Sequence, residues 1–309
     1  MIRKPEFDIM KGILIVLVVI GHTSIRLPYI DLFWFHMPTF FMITGYLSQR
    51  WVSFNDTAYL RHKAFQLLVP YLSYSILLFL FIGYSPLWKY MLKVFLGGTL
   101  NITSFSYPFW YVNTLLVALV AFGLIKQLTQ SLQLLLIALL YLIVHLMTYW
   151  DFHPPVPWGI DNAMGALVFI YIGDKFKVYK TQKWHYSLLC APVLFAFINK
   201  LGGVNYRINM ASIEYNHLIL DLLVPCIFAF AIYLLCMYLK KWKYITYFFS
   251  VLGHSSLTIY FTHAALLYVL APLIGQPIAV ACCLIAGALF QHIFTRFNIT
   301  KTLFLGNMK

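Results

Sequence analysis

The chain has 309 residues, of which 62% are hydrophobic and only 10% are charged. One water-soluble core cannot bury that much apolar side chain, so a soluble globular enzyme is excluded. A disordered chain is excluded as well, because charged residues are few and aromatic residues make up 18% of the sequence. The composition is typical of a polytopic membrane protein.

The net charge of +13 does not indicate nucleic acid binding, because most basic residues lie in short gaps between apolar runs. All five cysteines lie inside apolar runs and lack metal-ligand spacing, so we interpret them as packing residues and expect no metal. Arg3 and Lys4 precede the first apolar run, as in a signal peptide, but no small-residue cleavage site follows. We therefore predict an uncleaved first helix.

Ten stretches approach the roughly 20 residues that a membrane-spanning helix needs. In chain order they cover residues 9–26, 32–49, 65–84, 109–125, 131–149, 158–175, 185–199, 218–239, 256–273 and 277–296. The segment 86–98 is too short to span and is predicted to be a helix lying in the membrane interface. No internal repeat or long linker divides the chain. The sequence thus predicts one all-α domain over residues 1–309, a transmembrane bundle of about ten helices.

The basic residues predict the orientation of these spans. With a cytoplasmic N-terminus, 17 of the 22 Lys and Arg residues fall on the cytoplasmic side. The five on the far side are Arg26, Lys89, Lys93, Lys200 and Arg207. Cytoplasmic loops carry such an excess of positive charge, so we expect both termini in the cytoplasm.

The first span carries an ionisable stripe. Lys11 and His22 are eleven positions apart, which places them about 20° from each other around a helix and roughly 16 Å apart along it. Asp8 lies about 40° from His22 by the same count. An ionisable group inside the membrane is costly and marks a candidate functional site. The alternatives are a hydrogen-bonded core histidine and an ion pair of Asp8 with Lys4 or Lys11 at the helix end.

The second span descends from the far side and carries His36 near the depth that His22 reaches. Two imidazoles at similar depth on consecutive helices form a candidate acid/base pair. The other interpretation is that His36 belongs to an interfacial aromatic belt with Trp34. Pro38 is expected to start or kink this helix and to leave backbone groups open to a cavity.

Further candidates occur in pairs near the ends of later spans. The pairs are Trp110 and Asn113, Asp161 and Asn162, and Tyr260 and His263, the last two sharing a helix face. Each is open to interpretation as an interface anchor, a helix cap or an interhelical hydrogen bond. Arg61 and Lys63, in the cytoplasmic loop 50–64, are either ordinary positive-inside charge or a clamp for phosphate.

Taken together these residues resemble the acyltransferase 3 family of membrane acyltransferases, and especially its fucose 4-O-acetylase-like polysaccharide O-acetyltransferases. The segment from Glu6 to His22, with a basic residue at position 11, is similar to the family's first helix. Phe35 to Leu47 is similar to the second. The shorter matches are Pro70-Tyr71, Phe109 to Val112, Gly173, and Leu252 to His263.

The resemblance implies transfer of an acetyl group from cytoplasmic acetyl-CoA to a hydroxyl of a cell-envelope glycan or its lipid-linked precursor. It implies a protein of the bacterial cytoplasmic membrane, embedded in the lipid bilayer, with no nucleic acid partner. A homo-oligomer is compatible with it. No GxSxG elbow and no reactive cysteine environment is visible, which disfavours a covalent enzyme.

On this basis His22 is expected to be the general base, with His36 assisting proton transfer or holding the acceptor. Arg61 and Lys63 would hold CoA phosphates, while Asp8 fixes Lys11 or Lys4 at the CoA entrance. We assign a substrate-binding role to the paired candidates, namely Trp110, Asn113, Asp161, Asn162, Tyr260 and His263. The rival function is a transporter or flippase of a lipid-linked glycan, because buried His and Asp residues also serve proton relays.

Overall fold

The computed structural model describes residues 4–49, 57–82, 86–101, 105–176 and 183–307, and these ranges are mostly helical. Thirteen α-helices follow one another in this part of the chain. They are α1 (Pro5–Gly21), α2 (His36–Leu47), α3 (Thr57–Ile82), α4 (Leu87–Leu96), α5 (Trp110–Ile125), α6 (Gln130–Tyr149), α7 (Ile160–Lys175), α8 (Ala191–Leu201), α9 (Leu220–Leu239), α10 (Lys243–His254), α11 (Ser256–Ile274), α12 (Gln276–Phe294) and α13 (Asn298–Leu305).

A short 3₁₀ segment precedes each of four α-helices: Leu32–Trp34 before α2, Tyr107–Phe109 before α5, Pro157–Gly159 before α7 and Lys183–Cys190 before α8. A fifth 3₁₀ segment, Gly98–Asn101, lies in the connection between α4 and α5. One antiparallel hairpin joins α8 to α9. Its strands are β1 (Ile208–Asn209) and β2 (Glu214–Tyr215), with Ile208 opposite Tyr215.

Six segments within the described ranges are long and apolar enough to cross a membrane, which supports a multi-pass protein. They are Ala58–Phe81, Tyr107–Ile125, Gln130–Tyr149, Leu220–Leu239, Ser256–Ile274 and Gln276–Phe294. These six correspond to the third, fourth, fifth, eighth, ninth and tenth predicted spans. Their large apolar side chains on the outer surface fit a lipid environment.

The other four predicted spans are shorter than expected. Helix α1 has 17 residues and ends at Gly21, α2 has 12, α7 has 16 and α8 has 11. The predicted start of the second span at residue 32 is wrong, because a 3₁₀ turn occupies 32–34 and the α-helix begins at His36. Ile9 and Leu14 of α1 and Ile170 of α7 are fully buried, so these helices are surrounded largely by protein.

Two close helix contacts place the short inner helices. A Cβ atom at Gly45 of α2 would clash with the carbonyl of Ile170 in α7. A Cβ at Gly12 of α1 would clash in the same way with the carbonyl of Phe249 in α10. Small residues allow such close backbone approach between membrane helices. The two contacts fix α1 and α2, which carry His22 and His36, against the rest of the bundle.

Helix α4 agrees in position with the sequence-based expectation, whereas three other elements were not expected. Helix α4 lies within the predicted interfacial segment 86–98, and Trp88 and Phe95 are exposed on it. Helices α10 and α13 and the 208–215 hairpin were not predicted. Their sequences mix polar and aromatic residues without a long apolar run, so hydropathy alone does not reveal them.

Candidate active site

A cavity of about 360 Å³ opens at the end of the bundle where α1 begins and α2 ends. We call it the lysine cavity, because Lys11 and Lys63 both line it. Ser48, Tyr59 and Gln66 also line it, and apolar side chains from α1, α2 and α5 form much of the rest of its wall. The cavity therefore has a charged mouth and an apolar interior.

Hydrogen bonds order the mouth of the lysine cavity. The Lys63 ammonium donates to Oε1 of Gln66 at 2.9 Å and lies 5.9 Å from the centre of the Tyr59 ring. The Tyr59 and Ser48 hydroxyls are 3.0 Å apart. Gln66 and Tyr59 thus position the Lys63 ammonium in the cavity that Lys11 also lines, and two positive charges in one cavity favour an anionic ligand.

Two residues predicted to bind the cofactor, Asp8 and Arg61, are not among the residues that line the lysine cavity. Arg61 is exposed on α3 and does not line the lysine cavity. The Asp8 carboxylate is half-buried, 3.8 Å from Nε2 of His254 on α10. Lys4 contacts the Tyr46 hydroxyl, and its ammonium lies over that ring. Arg50, in the same predicted cytoplasmic loop, lies outside the described residues.

A second, smaller cavity contains the predicted catalytic pair. His22, His36 and Trp110 all line it, together with Phe33 and Tyr107, and we call it the histidine cavity. Its volume is about 20 Å³, room for about one water molecule. The fold thus brings His22 and His36 to the same cavity, as the sequence predicts, in a state closed to larger ligands.

His22 is the residue that follows α1, and its backbone N–H donates to the carbonyls of Val18 and Val19. The expectation that it lies inside a helix extending to residue 26 is wrong, because α1 ends at Gly21. At this position the His22 side chain contacts residues outside α1. Its ring centre lies 5.1 Å from that of His263 and 5.5 Å from that of Tyr107.

The other two histidines are held by backbone carbonyls. Nδ1 of His36 donates to the carbonyl of Leu32, and Nδ1 of His263 lies 2.8 Å from the carbonyl of Tyr260. A neutral imidazole that donates from Nδ1 presents Nε2 as its basic nitrogen. Nε2 of His263 is buried and has no hydrogen-bond partner among the described residues.

The lysine and histidine cavities meet at two shared side chains. Met37 and Tyr260 line both of them. Tyr260 is buried against Tyr111, with ring centres 5.6 Å apart. Its hydroxyl has no partner in normal hydrogen-bond geometry within the described part of the chain. A buried hydroxyl without a partner is costly, and at this junction the Tyr260 hydroxyl is available to donate to a bound ligand.

His22 also faces a cleft on its other side. This cleft has a volume of about 370 Å³ and is lined by Thr23, Tyr107, Tyr268 and Gln276 in addition to His22. The Gln276 side chain accepts hydrogen bonds from the backbone and the hydroxyl of Ser24. We call this space the side cleft. His22 therefore separates the closed histidine cavity from a wider opening.

The 208–215 hairpin covers one side of the histidine cavity, and we call it the cavity roof. Met210 and Ala211 line the cavity, and the Asn162 side chain donates to both of their carbonyls. The Asp161 carboxylate accepts from the Asn162 backbone N–H at 2.8 Å, at the start of α7. Asn162 and Asp161 thus support the cavity roof and do not line the cavity.

Asn113 has a similar supporting position. It is buried, and its side-chain oxygen accepts a hydrogen bond from the Gly98 backbone N–H at 3.2 Å. It lines neither cavity. Its neighbour Trp110 does line the histidine cavity, so only one member of this predicted pair reaches it.

Sequence reasoning missed Tyr107 and the hairpin. Tyr107 packs edge-on against His22 and lines both the histidine cavity and the side cleft. Its position two residues before the motif Phe109 to Val112 was an available signal. The hairpin offered none, because residues 202–219 lack both an apolar run and a regular period.

Comparison with known proteins agrees with this architecture. The model of the acyltransferase 3 family, described as an acyltransferase domain, matches residues 4–291. The nodulation protein NolL of Mesorhizobium japonicum is 40% identical over 89 residues, which cover 25% of this chain and 24% of that protein. NolL of Sinorhizobium fredii is 38% identical over 91 residues, with 25% and 24% covered.

The matched segment spans only about a quarter of each of these curated relatives, so they support similarity over that segment alone. No solved structure matches this chain. The family match, in contrast, extends over both cavities and every histidine of the site. The chain therefore belongs to the acyltransferase 3 family of membrane acyltransferases.

Proposed function

We propose that this protein is a membrane O-acetyltransferase that moves an acetyl group from cytoplasmic acetyl-CoA to a hydroxyl of a cell-envelope polysaccharide or its lipid-linked precursor. The observation that carries the proposal is that the lysine cavity and the histidine cavity share two lining residues, Met37 and Tyr260. A donor with anionic phosphates and a long, thin arm suits a charged mouth followed by an apolar passage.

In this proposal Lys11 and Lys63 bind the phosphates of CoA. The ammonium groups form charge-assisted hydrogen bonds with phosphate oxygens, which are stronger than neutral ones. The pantetheine arm follows the apolar wall of the lysine cavity and delivers the thioester to the junction. Asp8 and Arg61 do not line this cavity and would contribute only to the electrostatic potential around its entrance.

His22 then acts as the general base. It takes the proton of the acceptor hydroxyl while that oxygen attacks the thioester carbonyl carbon. Tyr260 donates a hydrogen bond to the oxyanion that forms, which uses its unpartnered hydroxyl. The C–S bond breaks, the acetyl ester remains on the acceptor, and the CoA thiolate receives the proton from His22.

The other histidines assist. His36 faces the same cavity as His22 and would hold the acceptor or relay the proton. His263 lies beside His22 and would orient its ring. The closed volume of the histidine cavity requires a side-chain or hairpin movement before both substrates meet.

The proposal also includes the orientation of the protein in the membrane and its location in the cell. We propose about ten spans with both termini in the cytoplasm, an arrangement that would put the lysine cavity on the cytoplasmic side, where acetyl-CoA is present. The acceptor then approaches from the opposite side through the side cleft. The protein would lie in the bacterial cytoplasmic membrane, in the fucose 4-O-acetylase-like branch of its family, either alone or as a homo-oligomer.

The test is acceptor-dependent consumption of the thioester. Purified protein in lipid nanodiscs is mixed with acetyl-CoA and with envelope glycan from cells lacking the gene, and free CoA thiol is measured. We expect thiol release only with glycan, together with a mass increase of one acetyl group on the glycan. Translocation of lipid-linked glycan in vesicles without thiol release would instead support a flippase.

A further inference from the structure

A polar groove lies next to the histidine cavity, at the end of the bundle opposite the lysine cavity. Its volume is about 380 Å³, and it is lined by the segments 25–34 and 199–207 together with Gly21. We call it the arginine groove, since Arg26 and Arg207 lie on its two walls. None of the function described above uses it.

The groove is positively charged. Arg26, Lys200 and Arg207 line it, and Asp31 is its single lining carboxylate. The Asp31 carboxylate accepts the backbone N–H of Phe33, whereas none of the three cations forms an ion pair with a described carboxylate. The groove therefore has an excess of two positive charges that no carboxylate of the described residues neutralises.

The concentration of cations is unusual for this part of the chain. Only five basic residues fall on the predicted far side, and three of them converge on this one groove. Basic residues are normally depleted there, so ordinary loop composition does not explain the cluster. A site that recognises an anion does explain it.

The backbone of the groove has two uncommon conformations. Tyr29 and Asn205, on opposite walls, both have positive φ angles, of 65° and 50°. Non-glycine residues rarely adopt this region, although Asn does so more often than most, so Tyr29 is the more unusual of the two. Tyr29 is half exposed and stacks on Phe197 at 5.4 Å, which presents an aromatic edge at the groove.

The groove is connected to His22 through a shared side chain. Phe33 lines both the groove and the histidine cavity, and its ring centre lies 6.1 Å from that of His22. The indole N–H of Trp34, another lining residue, is buried without a hydrogen-bond partner among the described residues. A ligand held in the groove is thus adjacent to the proposed base.

From this juxtaposition we propose that the arginine groove binds the anionic part of the acceptor, so that the acceptor is an acidic or phosphate-bearing saccharide. Arg26 and Arg207 grip the phosphate or carboxylate, and Lys200 adds a third charge. Guanidinium groups match both anions with two parallel hydrogen bonds. A neutral sugar of the same molecule then presents its hydroxyl to His22. The identification of the ligand as the acceptor rests on the proposed function.

The experiment measures binding without any acyl donor, using purified protein in phosphatidylcholine nanodiscs. One probe is a fluorescent hexuronate tetrasaccharide, compared with its carboxyl-reduced neutral counterpart. The other is a short-chain prenyl diphosphate monosaccharide, compared with the same glycoside lacking phosphate. A third arm adds phosphatidylglycerol to the nanodisc to compete as a lipid headgroup.

We expect at least one anionic saccharide to bind tightly and its neutral counterpart to bind about tenfold more weakly or worse. Arg26→Gln and Arg207→Gln should each weaken that binding by about tenfold, and Arg207→Lys by less. Lys89→Gln, which removes an exposed charge on α4 outside the groove, should leave binding unchanged. Because Arg26 and Arg207 lie on separate segments, misfolding of one variant leaves the other informative.

Equal binding of charged and neutral saccharides would overturn the proposal. So would equal loss in Lys89→Gln, or complete displacement of the probes by phosphatidylglycerol, which would identify a lipid-headgroup site. Binding that persists in a protein without acetyl transfer would refute the proposed function and leave the anion site intact. The two failures are therefore distinguishable.

Discussion

His22 and His263, which lie near opposite ends of the sequence, have ring centres 5.1 Å apart. The His263 ring is fixed through Nδ1 by backbone carbonyls of its own helix, while His22 follows the end of α1 and lies between the small histidine cavity and the wider side cleft. Two imidazolium ions this close repel each other, so the pair holds at most one extra proton at a time. That suits a base that takes a proton only transiently.

The junction tyrosine gives the first prediction. Tyr260→Phe removes only the hydroxyl, and we expect kcat to fall about 10²-fold, as for loss of one oxyanion donor. The KM for acetyl-CoA should stay within about twofold, because the ring still fills the junction. Steady-state kinetics of thiol release provide the measurement.

Tyr74→Phe is the matched control for Tyr260→Phe. Tyr74 is also buried with an unpartnered hydroxyl, but it stacks on Phe261 and lines neither cavity. We expect its activity to match the unmodified protein. An unchanged kcat in Tyr260→Phe, or an equal loss in both variants, would refute the oxyanion role.

The lysine cavity gives the second prediction. Lys63→Gln should raise the KM for acetyl-CoA about tenfold and leave kcat nearly unchanged, because a charged hydrogen bond to phosphate is lost in ground and transition states alike. Lys63→Arg should restore most of the affinity. Lys243→Gln, at an exposed position on α10, is the control and should have no effect. A large fall in kcat without a change in KM would contradict phosphate binding.

The cavity roof gives the third prediction. Asn162→Ala leaves the Met210 and Ala211 carbonyls without their side-chain donor, which should lower the free energy of unfolding by about 1–3 kcal/mol. Cleavage of the hairpin by protease should accelerate. Asn216→Ala removes only a long, exposed contact to the Arg207 carbonyl and is the control. Equal protease resistance in both variants would show that Asn162 does not hold the roof.

Helix packing gives the fourth prediction. Gly45→Ala forces a Cβ into the Ile170 carbonyl and should cost about 1–3 kcal/mol as the α2–α7 contact opens. Gly21→Ala is the matched control, because its nearest neighbour would be the Leu32 Cβ at 3.8 Å. Thermal unfolding in detergent compares the two. An unchanged unfolding temperature for Gly45→Ala would contradict the close packing described for these helices.

The long apolar helices could be predicted from sequence, since a run such as Leu220–Leu239 can only be buried in lipid or protein. The first and last residues of the short inner helices could not be predicted in the same way. Hydropathy does not distinguish residue 32 in a 3₁₀ turn from His36 in an α-helix, because both lie among apolar neighbours. Tertiary packing decides those boundaries.

For the site, helical spacing predicted that Lys11 and His22 lie on the same face of the first helix. The fold places the two side chains in neighbouring cavities. Spacing could not show that Asn113 and Asn162 bond to loop backbone, because those partners are distant in sequence. It also could not show that Tyr260 joins the two cavities. Such relationships arise only when separate helices pack together.

His22 is the proposed base for acetyl transfer. The most direct measurement is the rate of acetyl transfer from acetyl-CoA to envelope glycan by His22→Gln, beside His292→Gln as the control at an exposed histidine. We predict a fall of about 10²- to 10⁴-fold for His22→Gln, with unchanged acetyl-CoA binding, and no fall for the control. Transfer by His22→Gln at the rate of the unmodified protein would contradict the account.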